Sequence, residues 1–146
     1  MPIAAAPVTL ELDSYPEGLH FFGRIDGFSI SLDSVRAPAT PQGVNPVQLM
    51  MMALGGCTGM DVISMLRKKR LEVTSYEVLV AGERRDEHPR IFTRFDILHR
   101  LRGHDLPRQA VVDAVELSHH KYCTVSGQIG STAEIVHRIE IVEETL

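Results

Sequence analysis

The sequence predicts a single α+β domain spanning residues 1–146. Three observations carry that reading. Apolar and polar residues alternate at period two near the N-terminus. A long apolar stretch opens on helix-capping residues. Further strand-like runs then follow, separated by a second helical pattern. A chain of 146 residues can bury a real core without metal or disulfide staples. Its composition, 44% hydrophobic and 23% charged, is that of an ordinary globular protein.

Residues 9–13 and 19–26 are short runs with β-formers, split by the turn-like Ser14-Tyr15-Pro16-Glu17-Gly18. Asp26-Gly27 is a two-residue hairpin signal, and Phe28-Ser29-Ile30-Ser31-Leu32-Asp33 alternates after it. These segments read as a β-meander, and residues 34–44, with two prolines and a glycine, as a loop. Asn45 then suits an N-cap and Pro46 the first helical position. Gln48 stands three residues after Asn45, as in a capping box. From Val47 to Lys69 apolar residues cover more than one face, which predicts a buried helix. Gly55, Gly56 and Gly59 each cost this helix roughly 1 kcal/mol relative to Ala. They predict either a kink or a close approach of another element beside Cys57. Arg67-Lys68-Lys69-Arg70 reads as cations complementing the helix C-terminus. Two strands are expected at 73–82 and 91–101. Asp105-Leu106-Pro107 opens a second helix running to about Tyr122, a short helical segment follows Cys123, and residues 135–142 alternate as a last strand.

A net charge of -4 provides no attraction to nucleic acid or to an anionic membrane, so neither is an expected partner. The first eight residues lack the basic and apolar regions of a signal peptide. No run approaches the ~18 consecutive apolar residues that span a bilayer. The expected location is the cytoplasm, where a cysteine pair is more often catalytic, redox-sensing or metal-binding than a permanent staple.

The two cysteines, Cys57 and Cys123, are therefore the residues most able to carry chemistry. Cys57 reads either as a nucleophile with small neighbours or as an inert core residue; reactivity requires a feature that favours the thiolate. Cys123 follows Ser118-His119-His120-Lys121-Tyr122. It reads as a metal ligand with His119, as a neighbour of solvated surface histidines, or as a resolving thiol for Cys57. Asp61, one turn after Cys57, suits a capping or salt-bridge role better than catalysis. Phosphate-loop, serine-elbow and zinc-protease motifs are absent from the sequence, and no cofactor or metal is expected.

Three segments recur in order: Ala53-Leu54-Gly55-Gly56-Cys57 with Asp61-Val62, the connection 82–92, and Glu116-Leu117-Ser118 leading to Lys121-Tyr122-Cys123. With the β-meander and the Pro-capped helix, they resemble the OsmC/Ohr superfamily of osmotically inducible and organic hydroperoxide resistance proteins, nearest its YhfA-like subgroup. The resemblance implies an OsmC-like fold with antiparallel β-sheets wrapped around central helices in an intertwined homodimer. It also implies a thiol-dependent peroxidase acting on organic hydroperoxides. Cys57 would become a sulfenic acid and Cys123 would resolve it to a disulfide, which a dithiol such as a lipoyl protein would reduce. Peroxidase members carry a Glu in an N-P-E segment, paired with an activating Arg; Val47 and Gln48 occupy that segment here. Gln48 is left to orient an arginine by hydrogen bonding, with Arg24 the first choice and Arg36 the second. The alternative function is a non-catalytic dimer of the same fold that senses oxidants or binds a hydrophobic ligand.

Overall fold

Strands β1 (Thr9–Leu12), β2 (Phe21–Ile25) and β3 (Phe28–Leu32) pair antiparallel in that order. The structure is a computed structural model describing residues 1–145. Asp26 and Gly27 make the β2–β3 turn with φ values of 50° and 80°. Positive φ at both central residues is what a right-twisted two-residue hairpin demands. Beyond β3, Asp33 is buried and its carboxylate accepts from the backbone N–H of Ser34 (2.7 Å), Val35 (3.1 Å) and Gln42 (3.0 Å). These donors, Gln42 foremost, hold the carboxyl below its ordinary range and fix the loop.

Helix α1 (Pro46–Lys68) begins with the predicted capping box. Asn45 Oδ1 accepts from Gln48 N at 2.8 Å, and Gln48 Oε1 accepts from Asn45 N at 2.9 Å. It ends in a left-handed residue, Arg70 (φ 58°), with Leu71 N donating to Leu66 O and Arg70 N to Arg67 O. That is the Schellman arrangement, here without glycine. No break interrupts the helix, so its glycines serve close approach and not a kink.

Contacts divide the chain into two compact units, Met1–Met50 and Met51–Leu146. In the second, β4 (Glu72–Arg84) pairs antiparallel with β5 (Phe92–His104), which pairs parallel with β6 (Glu134–Glu143). An all-antiparallel arrangement is thus corrected at β5–β6. Between them the chain passes through α2 (Arg108–Leu117), a π-turn (Ser118–Tyr122) and α3 (Thr124–Ile129). A helical crossover returns the chain in its original direction, which forces parallel pairing. The core of this unit joins Val62 and Leu66 of α1, Leu101 of β5, Leu106, and Val111, Ala114 and Val115 of α2.

The glycines of α1 lie where β4 approaches. A Cβ on Gly55 would sit 2.9 Å from Val80 Cγ2, and one on Gly59 would sit 3.2 Å from Val78 Cγ2. The opposite side of α1 is open: Met52, Ala53 and Met60 are exposed, Met60 at 73%. The expectation of a helix buried nearly all round therefore fails in the single chain. By length and composition alone α1 is apolar enough to cross a bilayer, with a mean hydropathy of 1.5 over its best window. In this structure its Leu54-Gly55-Thr58-Gly59-Val62-Leu66 stripe is buried.

Candidate functional site

Cys57 projects from the middle of α1 and is half-buried; Cys123 lies between the π-turn and α3 and is only 4% exposed. Both belong to the second unit, and the Cys57 sulfur adjoins the Cys123 thiol closely enough to perturb it. Local structure places Cys123. The π-turn closes with Cys123 N donating to Ser118 O at 2.8 Å, a bond five residues long that widens the helix end. Cys123 then leaves helical geometry (ψ 104°) and caps α3, its Sγ accepting from Ser126 N at 3.3 Å.

The environment of the pair is asymmetric. Burial pushes the Cys123 thiol up from its ordinary range. The Ser126 donor pulls the other way, and the adjacent Cys57 sulfur adds to the rise through its hydrogen bond and its charge. The net effect favours the protonated form of Cys123. Cys57 is the member of the pair that solvent reaches.

Behind the thiols, Ser118 ties the π-turn to α1. Its Oγ donates to Asp61 Oδ2 at 2.8 Å and lies 3.3 Å from Thr58 Oγ1. Ser118 and Thr58 are wholly buried. The chemistry available here is that of two opposed thiols, one reachable and one enclosed. Among the described residues no group of three or more His, Cys, Asp or Glu is placed to hold a metal ion. His119 turns inward to meet the His137 ring edge-on (centroids 5.1 Å apart), and only His120 is a surface residue.

With this geometry in hand, comparison with known proteins is specific. The family model described as OsmC-like protein matches residues 39–138, a span that contains both cysteines. The chain belongs to the OsmC-like protein family. Protein YhfA of Escherichia coli strain K12 is 39% identical over 127 residues, covering 86% of this chain and 92% of that one. A hypothetical protein from Aquifex aeolicus VF5 is similar in structure at a TM-score of 0.85 and 28% identity, covering 98% of this chain and all of the other. The organic hydroperoxide resistance protein OhrB of Bacillus subtilis shares the fold at a TM-score of 0.61 and 20% identity, covering 94% of this chain and 98% of its own.

The other two residues singled out from the sequence of this OsmC-like chain have local partners within the first unit. Arg24, on β2, pairs with Glu11 at 2.7 Å and lies over the Phe22 ring at 5.1 Å. Gln48 spends its amide oxygen on the capping box. The residues that sequence reading missed are Ser118 and Thr58, which look like ordinary helix-end hydroxyls until the two elements meet. Asp61 was read as a capping or ion-pair carboxylate, and it accepts from a hydroxyl. The recurrence of Ser118 and Asp61 within the same motifs as the cysteines was the available signal.

Proposed function

We propose that the Cys57–Cys123 pair reduces organic hydroperoxides. The observation that carries this reading is the apposition of a reachable thiol and an enclosed one. The Cys57 thiolate attacks one peroxide oxygen and the O–O bond breaks. The departing alkoxide takes a proton and leaves as the alcohol, while Cys57 is oxidised to the sulfenic acid. The Cys123 sulfur then forms an S–S bond with Cys57, the S–O bond breaks, and water leaves with the Cys123 proton. A dithiol, such as a lipoyl protein, reduces the disulfide by thiol exchange. The open apolar side of α1, with Met52 and Met60, supports a homodimer. Thiols kept reduced between turnovers fit the cytoplasm.

The experiment is hydroperoxide consumption with dihydrolipoamide or dithiothreitol as reductant, using cumene, tert-butyl and hydrogen peroxides. Wild type is expected to turn over the organic peroxides and Cys57→Ser to be inactive, with sedimentation reading a dimer mass. Turnover no faster than Cys57→Ser on every peroxide would sink the enzyme reading. One observation favours a second reading, a redox-sensing dimer without efficient turnover. No carboxylate stands at Val47-Gln48, and Arg24 is already paired with Glu11. That reading predicts stoichiometric disulfide formation on oxidant exposure and no catalytic cycle.

A further inference from the structure

A second cluster of chemistry lies at the β6 side of α2, and neither cysteine lines it. A cleft of about 580 Å³ is walled by Val112, Val115 and Ile139, with Arg108, Arg138, Glu116, His119 and His137 supplying its polar groups. Behind it runs a chain of hydrogen bonds. Tyr76 Oη lies 2.7 Å from His99 Nδ1, and His99 Nε2 lies 2.9 Å from His137 Nδ1. His99 is wholly buried, and the His99 and His137 rings stack at 5.1 Å.

The direction of this chain follows from satisfying the phenol. Among the described residues His99 Nδ1 is the acceptor placed for the half-buried Tyr76 O–H, which makes the phenol the donor. His99 then carries its proton on Nε2 and donates to His137 Nδ1, so His137 carries its own on Nε2. That nitrogen is buried without a partner, as is Nδ1 of His119 in the ring edge-on to it. A fixed N–H donor thus closes the cleft, with Arg108 beside it. Among the described residues Arg108 has the Ile139 carbonyl, at 3.4 Å, as its one hydrogen-bond acceptor; Arg138 borders the cleft but alternates to the other face of β6, where its charge acts on Asp96.

We infer that this cleft is a binding site for a small organic anion. Arg108 takes its carboxylate or phosphate oxygens, His137 Nε2–H donates to it, and Val112, Val115 and Ile139 pack its apolar body. A guanidinium fork and an imidazole donor recognise both head groups by the same charge-assisted bonds. Among the described residues Glu116 is the one carboxylate lining the cleft, and His120 and His99 are the other titratable groups around the His119–His137 pair. Empty, the site disfavours imidazolium: burial lowers His137 to about 4 and lowers His119, with the neighbouring imidazoles adding to both. A bound anion reverses that balance, so binding takes up a proton and strengthens as pH falls.

The test is imidazole NMR on the full chain at constant ionic strength, titrating inorganic phosphate, hexanoate and, as control, chloride. Saturable movement of the His137 and His119 signals by phosphate or hexanoate is expected, with a Kd that falls from about pH 6.5 to about pH 5. Phosphate alone identifies a phosphoryl ligand, and hexanoate alone a carboxylate. Arg108→Gln should raise that Kd about tenfold, the worth of one charge-assisted bond, while its unfolding midpoint stays close to wild type. The inference is overturned if neither probe gives a saturable shift. It is equally overturned if chloride matches them, or if Arg108→Gln binds like wild type.

Discussion

Replacing Ser118 by Ala tests whether the hydroxyl bridge holds Cys123 against α1. Ser118 Oγ donates to a carboxylate at 2.8 Å, a charge-assisted geometry worth ~1.5–3 kcal/mol. The contact to Thr58 Oγ1, at 3.3 Å, is beyond the usual hydroxyl range and adds little, though its loss leaves a wholly buried hydroxyl unpaired. Asp61 is half-buried, so water recovers part of the cost. The expected loss is about 2 kcal/mol in Ser118→Ala, roughly 6–7 °C in Tm for a chain of this size. Asp61→Asn keeps an acceptor and should lose about 1 kcal/mol. The double variant should reveal a coupling of about 1 kcal/mol, because both changes remove the same bond. A second readout separates this bridge from ordinary stability. The Ser118 carbonyl also fixes Cys123, so freeing the turn slows disulfide formation after one equivalent of oxidant, by at most about 30-fold if all 2 kcal/mol opposes apposition. Urea unfolding measures the first quantity and timed thiol counting the second. A coupling below about 0.5 kcal/mol, the additivity error, together with unchanged disulfide kinetics would refute the bridge.

Two further outcomes follow from packing and titration. Gly55→Ala should destabilise by about 1 kcal/mol despite the better helix former, because its Cβ meets Val80 Cγ2 at 2.9 Å. Gly127→Ala, in α3 with open space around it, should stabilise by about 0.5–1 kcal/mol, and urea midpoints compare the two. His99 and His137 have folded values depressed to about 4 against 6.5 unfolded, so the unfolded chain binds more protons between those limits. Stability from this pair is complete above about pH 6.5 and is lost as pH falls toward about 4. His99→Asn should flatten that slope of the urea midpoint, and an unchanged slope would assign it to other groups.

Much of the fold was legible because local chemistry and tertiary structure agree. Asn45, Pro46 and Gln48 specify a helix start by themselves, and Asp26-Gly27 specifies a hairpin. Strand ends were less legible. β4 runs on to Arg84 and β5 to His104 because ladder bonds with the neighbour carry charged residues that would not form strand alone. The π-turn was invisible, since Ser118-His119-His120-Lys121-Tyr122 has no Gly or Pro to mark it. The observed widening brings Ser118 against Asp61 and Cys123 against Cys57, contacts between residues some sixty positions apart. The histidine chain was missed for the same reason: Tyr76, His99 and His137 lie on three different strands. The cysteines stand out in the sequence because their chemistry is rare in the chain, whereas Arg24 and Gln48 carry ordinary polar groups that find local partners.

The geometry of α1 explains why Cys57, and no other small residue of this helix, is suited to act. At about 100° per residue, Gly55, Gly59 and Leu66 point to the sheet, while Leu54, Thr58 and Asp61 point to the π-turn. Ala53 and Met60 point to the open side, and Cys57 falls on the seam between that side and the π-turn. A cysteine among the sheet-facing residues would be sealed in, and one at position 53 or 60 would have no second thiol behind it. At the seam the sulfur is reached from one direction and met by Cys123 from another. Gly56 beside it leaves room, since a Cβ there would touch nothing within 4 Å. On the proposed chemistry, the oxidant enters over Gly56 while the resolving thiol already waits on the enclosed side. The sulfenic acid then forms next to its reductant, and the alcohol leaves without crossing the core.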